Sequence, residues 1–162
     1  VTEGGGILKP ALVAAASVIV VAVLGGVATR LGPWYDALKK PSWQPPDWLF
    51  GPVWTLIFAM IATAGVLAWN SAQSPAQQQQ VIGLFAVNAV LNVLWSVLFF
   101  TLRRPDWAVW EIVPFWLSIV LIMVVLGPRD WRVAALLMPY AVWVAFAGYL
   151  NLTIVRLNPP FS

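Results

Sequence analysis

Asn88 and Asn92 stand four residues apart inside an apolar run, and Trp95 and Phe99 continue the same helical face three and seven positions beyond Asn92. A second stripe, formed by Tyr140, Trp143, Ala147, Leu150 and Asn151, falls close to one face of the last apolar run. Polar side chains in hydrocarbon must face other helices or a cavity. Two readings of the stripes stand. They are interhelical glue, with asparagines hydrogen-bonding across packed helices, or they line a pocket for a flat, mostly apolar ligand with a few polar edges.

Ordinary acid–base, nucleophilic and metal chemistry has little to work with. Histidine and cysteine are both absent, which removes the commonest general base, the commonest metal ligands and any disulfide. Glu111 is the one acidic residue within the limits of an apolar run, and it is expected near the interface. A proton-coupled transporter usually carries a carboxylate near the midplane, so ion-coupled pumping is disfavoured.

The elements that hold these residues are read from composition and run length. Of 162 residues, 61% are hydrophobic and 9% charged, against about 25% charged in soluble domains. The net charge is +3, but the basic residues sit singly or in pairs at the ends of apolar runs. That is the placing of membrane anchors, and no nucleic-acid face is visible. Runs of about 20 apolar residues, enough for a helix to cross roughly 30 Å of hydrocarbon, occur at about 9–30, 49–70, 81–101, 107–127 and 131–157. The stretch VAAASVIVVAVL lacks the period-two alternation of a barrel strand. The first run is too long for a typical signal-peptide core, and its flank RLGPWYD offers no small-residue cleavage site.

The expectation is an all-α membrane protein, a five-transmembrane-helix bundle. Residues 1–8 form a flexible tail, 9–158 a single membrane domain and 159–162 a C-terminal tail. SAQSPAQQQQ at 71–80 reads as a polar break, LRRPD and GPRD as tight hinges, and Ala22, Gly25 and Gly26 as a surface for close helix approach. Arg30, Lys39, Lys40, Arg103, Arg104 and Arg156 gather on one side, against Lys9, Arg129 and Arg132 on the other. The excess predicts that the first side is cytoplasmic, with the N-terminus out and the C-terminus in.

Between the first two runs lies a long loop rich in proline and tryptophan. Residues 33–54, PWYDALKKPSWQPPDWLFGPVW, hold four tryptophans and five prolines. Tryptophan at the membrane boundary accounts for Trp34, Trp48, Trp107 and Trp131. It does not account for Pro41, Pro45 and Pro46, which make KKPSWQPP stiff and non-helical. A stiff loop carrying Trp43, flanked by Tyr35 and Trp48, suits a lid over the bundle mouth, with Trp54 pointing into a cavity below.

WYDALKKPSWQPPDWLFGPVW, LNVLWSVLFF, PDWAVWEIV and LLMPYAVWVAFAGYLNLTIVRLN together resemble the translocator protein family, also called TspO/MBR, tryptophan-rich sensory proteins or peripheral-type benzodiazepine receptors. The resemblance runs from about residue 10 to 158 and suggests a bacterial member. It implies a five-helix bundle, commonly a homodimer, with a ligand cavity closed by the first loop. The ligands it implies are porphyrins such as protoporphyrin IX and haem, sterols and synthetic drugs. Tyr35, Pro45, Trp54, Phe58, Asn92, Trp95, Trp143 and Ala147 match the family's pocket positions. The resemblance also suggests a light- or oxygen-dependent porphyrin breakdown, with Trp54 and Trp143 as redox candidates.

The sterol motif departs from the family pattern. Its tyrosine position is Leu152 here, and Tyr149 is one residue too far from Arg156, which speaks against cholesterol binding. No cofactor is required, and a metal-free porphyrin is expected to bind at least as well as haem, because only tyrosines and methionines remain as axial ligands. Its carboxylates are expected to reach Lys39, Lys40 or loop N–H groups. Apart from the lipid bilayer, the partners expected are a hydrophobic small molecule and a second copy of the chain. The membrane expected is the bacterial cytoplasmic one. A third reading is a ligand-free membrane interaction protein that docks through its aromatic loop.

Overall fold

The computed structural model describes residues 5–162, and within them the chain is a bundle of five long apolar helices. They are α1 (Gly5–Ala28), α3 (Asp47–Ser71), α4 (Pro75–Ser96), α5 (Pro105–Leu126) and α6 (Trp131–Leu157). A one-turn helix, α2 (Pro33–Ala37), interrupts the first loop. Proline opens α2, α4 and α5 at the first turn, where its missing N–H costs no helical hydrogen bond.

The spans fall close to the expected ones, with two differences. The helix already runs at Gly5, so residues 5–8 belong to α1 instead of a tail, and residues 1–4 lie outside the described residues. The glutamine tract is also helical. Ser74 caps α4 by accepting from the Gln77 N–H at 3.2 Å, Pro75 follows, and glutamine is a good helix former, so the polar break shrinks to 72–74.

The helices close into a ring in the order α1, α3, α6, α5, α4, with α4 returning to α1. The α5–α6 seam is the most solid part, packed by Ile119, Ile122, Leu126, Val133, Leu137 and Val144. On α3, Ile57, Ile61, Ala64 and Ala68 repeat at helical spacing on the buried face, and the two alanines are fully buried. By contrast α1 buries only Ala28, so it is the peripheral member.

In lipid there is no hydrophobic drive between helices, so packing and hydrogen bonds must hold the bundle. The buried asparagines supply them. Asn88 Nδ2 donates to Ser118 Oγ (2.9 Å), and the Tyr140 hydroxyl donates to Asn88 Oδ1 (3.1 Å). Asn92 Nδ2 donates to the Tyr140 hydroxyl (2.9 Å), and Asn151 Nδ2 donates to the Pro105 carbonyl (3.0 Å). These bonds tie α4, α5 and α6 together. Glu111 differs from expectation. It is buried within the bundle, and neither carboxylate oxygen has a hydrogen-bond partner among the described residues.

Candidate ligand-binding site

Under the first loop the ring does not fill its centre. A cavity of about 640 Å3 remains there, within the usual range for small-molecule sites of about 300–1,000 Å3. Trp54 and Phe58 reach it from α3, Asn92 and Trp95 from α4, and Trp143 and Ala147 from α6, while Tyr35, Gln44 and Asp47 line it from the loop side. The stripes are therefore glue and lining at once. Trp95, for example, donates its indole N–H to Asn151 Oδ1 at 3.2 Å while its ring faces the cavity.

Seven of the eight expected pocket residues come together here: Tyr35, Trp54, Phe58, Asn92, Trp95, Trp143 and Ala147. Pro45 does not join the lining, although its neighbour Gln44 does. Trp43 also stays out of the lining. It stacks on Tyr149 (ring centroids 5.3 Å apart) and meets Phe146 edge-on (5.8 Å), clamping the loop to α6 from outside.

Phe99, which the first stripe includes, lines the cavity as well; the residues the stripes leave out are Phe100, Ile112 and Phe115, together with the α1 glycines. Phe100 joins Phe99 because α4 runs on as a π-helical turn, Val97–Thr101, closed by Leu102 N–H donating to the Val97 carbonyl at 2.8 Å. One extra residue in the turn brings both rings to the cavity, with 4.7 Å between centroids. Arg103, at φ 55°, then ends the helix in the left-handed region. Gly25 and Gly26 were expected at a close helix contact. Instead a Cβ on either would meet nothing within 4 Å, and both line the cavity, so they make room in it.

The loop is pinned at several points. Lys39 N–H donates to Asn158 Oδ1 and Asn158 Nδ2 donates to the Lys39 carbonyl, both at 3.0 Å, which fastens the loop to the end of α6. Lys40 Nζ donates to the Tyr35 carbonyl at 2.6 Å and lies 4.2 Å from the Tyr35 ring centroid. Neither lysine lines the cavity, so their expected role as carboxylate receivers finds no support in their placement. The Tyr35 hydroxyl donates to Asp47 Oδ1 and accepts from Gln44 Nε2, each at 3.2 Å. Burial, aided by the negative charge of Asp47, pushes its pKa up to about 12.

Two buried polar atoms of the lining have no partner among the described residues: the Trp143 indole N–H and Gln44 Oε1. Buried groups of this kind are rare in folded proteins. Here they offer one donor and one acceptor in a chamber rich in aromatic side chains.

Known proteins share this arrangement of sequence. The profile described as the TspO/MBR family matches residues 13–157. The tryptophan-rich protein TspO of Chlorobaculum tepidum is 42% identical over 126 residues, covering 78% of this chain and 80% of that relative. Protein CrtK of Rhodobacter capsulatus is 37% identical over 130 residues, 79% of this chain and 80% of its own. The human translocator protein is 32% identical over 126 residues, 77% and 75% of the two chains. A profile match over most of the chain, on a five-helix bundle with a tryptophan-lined chamber, establishes that this chain is an integral membrane protein belonging to the TspO/MBR family.

Proposed function

We propose that the chamber binds a tetrapyrrole, protoporphyrin IX or haem, and that the protein acts as a membrane receptor or carrier for it. The observation that carries this reading is the meeting of Trp54, Trp95 and Trp143, from three different helices, around one apolar space. A porphyrin is a rigid apolar disc, and each indole stacked on it or abutting it adds about 0.5–1.5 kcal/mol beyond area burial. The Trp143 N–H suits an acceptor on the ligand, and Gln44 Oε1 a donor. The names of relatives point to translocation and sensing, in keeping with a binding role.

The donor set favours metal-free porphyrin. Among the described residues none of Met60, Met123 and Met138 lines the chamber, and Tyr35 is the one tyrosine that does. A buried phenol with its pKa near 12, already hydrogen-bonded to Asp47, gives up its proton to iron less readily than an ordinary tyrosine. Fluorescence titration in detergent tests this. Protoporphyrin IX is expected to bind at least as tightly as haem, and a large preference for haem counts against the proposal. Replacing Trp54, Trp95 and Trp143 together by alanine is expected to abolish binding; a folded variant that still binds overturns it.

A second reading follows from Trp54 and Trp143 sharing the chamber: light- or oxygen-dependent breakdown of the bound porphyrin, with these indoles as redox partners. Illumination of the complex while its spectrum is followed tests it, and a product that persists in Trp54→Phe/Trp143→Phe removes both from the chemistry. Our reading also has the protein as a homodimer in a bacterial cytoplasmic membrane. The loop would lie on the cytoplasmic side, where six of the nine basic residues gather.

A further inference from the structure

The opposite half of the bundle contains a second cavity, also about 640 Å3, between α1, α3 and α4. It extends along α1 from Gly6 to Val21, about 22 Å at the helical rise. Phe58 and Asn92 line both cavities, so a thin partition separates the two. Exposed Val13 and Ile82 lie in its lining, which opens the slot sideways to the bilayer between α1 and α4.

Its chemistry is unlike that of the first cavity. Lys9, at the outer end, is the one charged residue of the lining among the described residues. The polar groups deeper in are engaged within the protein: Ser17 Oγ donates to the Val13 carbonyl, and Asn88 and Tyr140 bond one another and their neighbours. The inner end therefore presents no charged group, with Asn92 Oδ1 its one unengaged polar atom among the described residues, and the outer end asks for an anion. The slot is also long and narrow, about 22 Å against a hydrocarbon core of roughly 30 Å. An occupant must be elongated, apolar along its length and negative at one end.

We propose that this slot is a second ligand site, which takes one long-chain fatty acid with its carboxylate at Lys9 and its chain running inward toward Phe58. The site is independent of the tetrapyrrole reading, since it has its own mouth and its own charge.

The test uses the full chain in nanodiscs of zwitterionic phosphatidylcholine and a palmitic acid carrying a photoreactive diazirine at its methyl end. Labelling is expected at the inner wall, on Phe58, Ile61 or Phe85. Gly65 lines the slot and a Cβ there meets nothing within 4 Å, so Gly65→Phe places a ring in the slot and is expected to abolish that labelling. Lys9→Glu is expected to weaken the acid about fivefold while leaving its methyl ester unaffected. The proposal is overturned by labels scattered over lipid-facing Leu12, Ile19 and Val90, or by a methyl ester that binds as well as the acid. It is likewise overturned if an anionic phospholipid displaces the probe as readily as free fatty acid does. The label positions and the acid–ester comparison are read on the unmodified protein, so they decide the matter even if Gly65→Phe fails to fold.

Discussion

Asn92 donates to the hydroxyl of Tyr140 across 2.9 Å, and this bond joins α4 to α6 in the partition between the two cavities. Because Tyr140 also donates to Asn88, Tyr140→Phe strands a donor and an acceptor together. Orphaned groups in soluble cores cost about 1–3 kcal/mol each, whereas hydrogen bonds between membrane helices average about 0.6 kcal/mol. The second figure governs here, because the unfolded chain in a micelle finds other partners. Tyr140→Phe is expected to destabilise by about 1–2 kcal/mol in denaturant-micelle unfolding. Tyr149→Phe, at an exposed phenol, should leave the midpoint unchanged.

Trp143 and Trp54 both line the first cavity, but only Trp143 leaves a buried indole N–H without a partner. Replacing either by phenylalanine keeps an aromatic ring and removes the N–H. Trp143→Phe is therefore expected to weaken porphyrin binding by about 0.5–1.5 kcal/mol, roughly two- to tenfold, and Trp54→Phe by less. Equal losses in fluorescence titrations would show that stacking alone accounts for both residues.

Much of this was legible in the sequence because a membrane simplifies the problem. Span length and the cost of polar groups in hydrocarbon give the five helices, and the spacing of Asn88, Asn92, Tyr140 and Asn151 gives their inward faces. What escaped were features that depend on how helices end and how far apart they stand. No residue preference announces the π-helical turn that brings Phe99 and Phe100 together at the cavity. Gly25 and Gly26 read equally well as a close contact or as empty space, and only the position of α1 decides between them. Polarity alone makes the glutamine tract look like a break, although Ser74 and Pro75 spell a helix start.

Tyr35 gives the loop a pH limit. Its folded pKa lies near 12, above the ordinary value of 10.0, so folding favours the neutral phenol. The contribution of that phenol is fully present below pH 10 and is lost as pH rises through about 12. Tyrosinate absorbance, compared with Tyr35→Phe, is expected to show one phenol titrating near 12 and the loop loosening with it. A Tyr35 signal that titrates at the ordinary value would mean that the phenol is not held buried beside Asp47 in solution.

The two hydrogen bonds between Asn158 and the Lys39 backbone are exposed, so each belongs at the low end of about 0.5–1.5 kcal/mol. Asn158→Ala removes both while leaving the aromatic clamp of Trp43 on Tyr149 and Phe146. Ligand release in stopped-flow measurements is expected to quicken about fivefold with little change in thermal stability. If release is unchanged, the aromatic clamp alone holds the loop closed.

Gly26 separates room for a ligand from the integrity of the bundle. A Cβ at this position meets no atom within 4 Å, and the residue lines the first cavity. In a helix interior, exchanging glycine for a better helix former gains about 0.5–1 kcal/mol, so Gly26→Leu is expected to hold or raise the unfolding midpoint. The same side chain takes up space from which a disc-shaped ligand would otherwise draw its contacts, so porphyrin affinity should fall at least tenfold. A fall in stability together with affinity would place Gly26 at a helix contact after all. A loss of affinity alone would mark α1 as a wall of the binding chamber.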